Sequence, residues 1–154
     1  MAKYKMDEPK TLVVNEPAAV YAAHSQNYVD AGIFSVMNTA KQGISYKSFD
    51  VLSKKLPFSM QDWAEFLHVS GKTLSRYQKE DKTFDTPQSE KILQIEILYA
   101  KGKEVFGSSE YFLIWLQTEN LALGKIKPQE ILDSSFGIFL LMDELTKIEH
   151  GVLA

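Results

Sequence analysis

Side chains able to do chemistry gather in one short stretch of these 154 residues. Gly71-Lys72-Thr73 imitates the end of a phosphate-binding P-loop. That motif needs a glycine five positions earlier, where Phe66 stands, and a preceding strand, which the pattern does not supply. Nucleotide hydrolysis is therefore not expected. His24, His68 and His150 have no ligand-like spacing, and no paired-carboxylate or serine–base set occurs, so no metal, cofactor or enzymatic activity is expected. What remains is recognition. In a helix capped by Ser70, Leu74 and Tyr77 point one way, while Lys72, Ser75, Arg76 and Lys79 point another. Arg76 is the one arginine among 17 basic residues, and a guanidinium suits bidentate contact with guanine or phosphate. Ser70, Lys72, Thr73, Ser75, Arg76 and Lys79 form the candidate DNA-binding set.

Two helices must position that set. Ser59 is a good N-cap, and Met60, Trp63, Ala64 and Leu67 then fall on one helical face. Val69 and Ser70 interrupt the face and start the second helix. Two short helices on a tight turn, with the small Ala64 where they approach, predict a helix-turn-helix whose second helix enters the major groove. The competing reading is an ordinary helical hairpin with a solvated polar face. His68 occupies a turn position where glycine is usual in such motifs.

The net charge of −3 argues against a DNA partner only until it is divided along the chain. Residues 1–40 carry 3 basic and 4 acidic groups, residues 41–82 carry 8 and 5, and residues 83–154 carry 6 and 11. The basic segment is the one holding the helix-turn-helix, as phosphate binding requires. The acidic last part suits a different partner. A hydrophobic fraction of 45% predicts a folded core, and few strand signals predict an all-α protein. With no cysteine, disulfides and thiolate sites are excluded. No secretory signal or membrane span is expected, so cytoplasmic residence is the default.

Residues 1–26, with Pro9 and Pro17, are expected to form a poorly ordered arm. A helix is expected within Asn27–Gly43, and a short one carrying Tyr46, Phe49, Val51 and Leu52. Thr86-Pro87 reads as an N-cap and first-turn pair opening a helix toward Phe106. Ser108 or Ser109 caps a segment with Tyr111, Phe112, Trp115 and Leu116 on one face, although the apolar run leaves a strand open. Both tryptophans are expected in the core. Pro128 opens a short helix with Ile131 and Leu132. Ser134 or Ser135 caps a last helix ending at Gly151, striped by Ile138, Leu141, Met142, Leu145 and Ile148. Phe136, Phe139 and Leu140 lie off that stripe, which implies either a central core helix or a helix at an interface.

Several further residues extend this reading. Ala100-Lys101-Gly102-Lys103-Glu104-Val105-Phe106-Gly107, then Trp115-Leu116, Asn120, Ala122-Leu123-Gly124, Pro128, Ile131-Leu132, Gly137, Leu145 and Ile148-Glu149-His150-Gly151-Val152, resemble the Xre/MbcA/ParS toxin-binding domain. The first half, with Thr73-Leu74-Ser75-Arg76 and Ser89-Glu90-Lys91-Ile92-Leu93, looks like the Xre-type region of the same antitoxins. The resemblance covers residues 27–154 and departs from the family at His68 and at Lys125, where a second glycine is common.

The resemblance implies an Xre-like helix-turn-helix region over residues 27–107 and a small helical toxin-binding domain over residues 108–154. It further implies a homodimer that binds double-stranded operator DNA for autoregulation. Its other partner would be a RES-domain toxin that consumes NAD. Carried over by position, Trp115, Gly124, Pro128 and Gly137 look structural, and Ile148, Glu149, His150, Gly151, Val152 and Leu153 are candidates for the toxin contact. The alternatives are a tail that folds back as a hydrophobic cap, and a transcriptional regulator whose C-terminal domain only dimerises.

Overall fold

The computed structural model describes residues 31–151, and its regular structure is helical. The expected arm over residues 1–26, the first residues of the expected 27–43 helix, and Val152 and Leu153 lie outside the described residues. Among the described residues seven α-helices follow in order: α1 (Ala31–Gln42), α2 (Tyr46–Ser53), α3 (Met60–Phe66), α4 (Gly71–Glu80), α5 (Thr86–Phe106), α6 (Ser109–Gln117) and α7 (Ser135–Glu149). Two 3-10 turns, Leu121–Leu123 and Pro128–Ile131, connect α6 to α7.

Serine and aspartate hydroxyl or carboxylate oxygens set most helix starts, because they satisfy amides that have no partner inside the helix. Ser59 accepts from Asp62 N at 3.1 Å, while the Asp62 carboxylate accepts from Ser59 N at 2.7 Å, completing a capping box. Ser108 and Ser134 cap α6 and α7 in the same manner. The start of α5 differs from expectation. Its cap is Asp85, which accepts from Gln88 N at 2.9 Å, so Thr86 is already helical and Pro87 sits in the first turn, where a missing N–H costs nothing. The apolar run after Ser108 is a helix, not a strand.

The core begins with a ring cluster inside the first half. Phe49 meets Trp63 edge-on at 5.0 Å and Phe84 at 5.2 Å, a geometry that places ring edges against ring faces. The Trp63 indole N–H is buried there without an acceptor among the described residues. An isolated bridge between Ser45 and Thr83 joins the start of α2 to the segment before α5. The fully buried Ser89 completes that junction, accepting from Ile44 N at 2.9 Å and donating to Phe84 O at 3.2 Å. Gly43 turns the chain with φ +88°, and a Cβ there would meet Thr83 Cγ2 at 2.4 Å, so both conformation and space require glycine.

Helix α5 is the shared strut, packing against α1, α6 and α7. A Cβ at Gly102 would lie 2.1 Å from the Phe112 ring, so the missing side chain lets α6 approach α5. Phe112, Leu116, Leu132, Leu141 and Leu145 continue the same apolar core as Phe49 and Trp63. Not every residue on an apolar helical face is buried. Met60 and Tyr111 are exposed, and Trp115 is half-buried, stacked on Phe112 at 5.9 Å. A helix face spans only about a third of the circumference, so residues at its margins stay wet.

Candidate DNA-binding and partner-binding surfaces

Helix α4 carries the candidate recognition set as a compact polar face. Leu74 is its buried anchor, and Tyr77 is half-buried against Phe84 at 5.2 Å. Lys72, Ser75, Arg76 and Lys79 are all exposed on the other side. The structure therefore brings these four together. Ser70 and Thr73 stand at the helix start, where Ser70 Oγ accepts from Thr73 N at 3.0 Å and donates to Thr73 Oγ1 at 2.9 Å. Their hydroxyls are engaged in capping, and a phosphate contact would share them. The Arg76 guanidinium lies 5.9 Å from the Tyr77 ring centroid, which orients it without neutralising it. Ser70→Ala should lower stability by about 1 kcal/mol through loss of the cap, read from urea-denaturation midpoints.

The turn that aims α4 is held by His68 in a left-handed conformation, φ +54°. Its Nε2–H donates to Asp133 O at 3.0 Å, a carbonyl in the turn before α7. The same oxygen accepts from Lys91 Nζ at 3.0 Å. Burial pushes the Lys91 ammonium below its ordinary pKa, and the negative charge of Asp133 opposes that shift. Nothing in the sequence marked Lys91 or Asp133 as a junction, because the contacts span 42 and 65 residues.

The second surface follows α7. Its inward stripe is buried at Ile138, Leu141 and Leu145, while Phe136 is 89% exposed, Phe139 75% and Leu140 45%. Of the two readings left open for this helix, a core helix does not hold: α7 packs on α5 with one face and leaves aromatic surface on the other. Gly137 faces inward at its start, where a Cβ would lie 2.0 Å from Ile131 O. At the far end Glu149 bonds Lys101 Nζ at 2.5 Å, so one candidate contact residue already has a partner on α5. Ile148 is half-buried, His150 is exposed at the helix end, and Gly151 turns left-handed with φ +67°. Lys125 takes a left-handed φ of +67° directly after Gly124, and its N–H donates to Asn120 O at 2.8 Å. The loop thus keeps a glycine-like turn without the second glycine.

Among the described residues, a helix-turn-helix presenting a cationic face is thus followed by a small helical region whose last helix keeps one apolar face exposed. Residues 36–95 match the antitoxin Xre-like helix-turn-helix domain, and residues 101–151 match the antitoxin Xre/MbcA/ParS C-terminal toxin-binding domain. The chain belongs to the Xre/MbcA/ParS-type antitoxin family. It is similar to an "Antitoxin Xre" of Yersinia enterocolitica, 27% identical over 95 residues, 59% of this chain and 64% of that protein. The similarity thus spans somewhat under two thirds of that relative's length.

Proposed function

We propose that this chain neutralises a RES-domain, NAD-consuming toxin through its C-terminal domain and represses its own gene through α4. It acts in the cytoplasm as a binding protein, without a reaction of its own. The observation that carries this reading is the pairing of two unlike surfaces on one continuous core. One is the cluster of Lys72, Ser75, Arg76 and Lys79, and the other is the end of α7, where half-buried Ile148 and exposed His150 lie within a toxin-binding domain match. The division of labour assigns residues 27–107 to DNA and 108–154 to the toxin, with Ile148 to Leu153 as the inhibitory segment. Among the described residues no helix is long and apolar enough to cross a membrane. Co-production of the chain should restore growth to cells making a RES-domain toxin, and continued arrest with soluble chain present would refute the proposal.

A homodimer is part of the same reading. Phe136, Phe139 and Leu140 would cost free energy left in water at about 25 cal/mol per Å² of apolar surface, which favours their burial between two copies. Light scattering at micromolar concentration should report a dimer, and Phe136→Asp combined with Phe139→Asp should shift it to monomer. A monomeric unaltered chain would remove this face as the dimer contact.

A further inference from the structure

The Asp133 carbonyl joins three elements that are distant in sequence. It accepts from His68 in the α3–α4 turn and from Lys91 on α5, each at 3.0 Å. Asp133 is followed by Ser134, whose hydroxyl accepts from Gly137 N at 3.3 Å and so starts α7. His68 precedes the cap of α4 by two residues, and its left-handed backbone is unfavourable for a side chain with a Cβ. Lys91 is buried, so moving this carbonyl would strand an ammonium with poor solvation. A groove of about 670 Å³ opens beside the contact, lined by Phe58, Glu65, His68, Gln117, Gln129 and Asp133. The turn therefore has room for a second arrangement.

We propose that His68, Lys91 and Asp133 form a latch through which α7 sets the orientation of α4, so that a partner engaging α7 alters affinity for DNA. The regulatory half of this statement rests on the reading of α4 as the DNA-binding helix. Lys91 fixes the carbonyl, and His68 transmits its position to the recognition helix. Any such coupling is reciprocal: DNA bound on α4 changes affinity at α7 by the same factor.

The test is a double-mutant cycle on the full chain, with Ser134→Ala to loosen the start of α7 and His68→Gly to cut the link. Glycine accepts the left-handed turn, so the second variant removes the hydrogen bond without adding strain. Amide exchange of Leu74 to Tyr77 is measured without DNA, relative to Ile92 to Leu98 on α5, which report global opening. Ser134→Ala should speed α4 exchange about fivefold on its own, as expected for loss of a cap. It should add less than about twofold in the His68→Gly background. Equal effects in the two backgrounds would overturn the latch. Affinity for operator DNA is then measured across the same four proteins. A Ser134→Ala loss that shrinks in the His68→Gly background supports regulation, and additive losses overturn it. Coupled exchange in a chain without preference for its operator would keep the latch and overturn the DNA-binding reading of α4 instead.

Discussion

Deleting residues 150–154 is expected to abolish neutralisation while leaving fold and operator binding intact. The deletion begins beyond Glu149, so the ion pair to Lys101 that fastens α7 to α5 survives. Helix α7 already buries Ile138, Leu141 and Leu145 upstream of the cut. Gly151, with φ +67°, ends the helix in a left-handed turn. In the proposed complex Val152 and Leu153 enter the toxin's cleft, where full burial is worth about 1.5–3 kcal/mol each. Losing both would weaken the complex by roughly 10²- to 10⁴-fold, since each 1.4 kcal/mol is tenfold. Growth rescue should therefore vanish in the truncated chain, while operator shifts and thermal melting remain. Rescue by the truncated chain would make the tail a simple helix cap and move neutralisation to another surface.

Arg76→Ala should weaken specific operator binding by about 1–3 kcal/mol if the guanidinium spans a guanine edge. Arg76 is exposed and rests against Tyr77, so its removal opens no cavity and should leave stability close to unchanged. Lys72→Ala and Lys79→Ala should behave differently, weakening all sequences alike and flattening the salt dependence. Filter-binding titrations on operator and unrelated DNA separate the two outcomes. Unchanged operator affinity in folded Arg76→Ala protein would remove Arg76 from the base-reading set.

Local signals were legible in the sequence where short-range chemistry decides the structure. Ser59, Ser70, Ser108 and Ser134 cap helices because their hydroxyls reach amides two or three residues on, and Gly43, Gly107 and Gly151 end helices through left-handed φ. The outward placement of Lys72, Ser75, Arg76 and Lys79 follows from helical spacing around Leu74. Competing local choices were harder to rank: Asp85 outcompetes Thr86 as the cap of α5 because its carboxylate closes a box with Gln88. Face margins are less legible: Met60 and Tyr111 lie on apolar faces yet are exposed, and Trp115 packs against the core only half-buried, since the neighbouring helix decides which margin it covers.

Long-range contacts could not be read at all. No periodicity indicates that Lys91 is buried on a carbonyl 42 residues away, or that Lys101 reaches Glu149 across 48. The His68 departure was visible as a missing glycine, and its left-handed φ of +54° explains why glycine is the usual occupant. Its bond to Asp133 supplies what the side chain gains in exchange.

The most direct test of the antitoxin reading is NAD turnover by a purified RES-domain enzyme, titrated with the purified full-length chain. The account predicts that turnover falls to near zero at close to stoichiometric chain. Undiminished turnover, with the chain folded and bound to its operator, would contradict the account and leave a transcriptional regulator without a toxin partner.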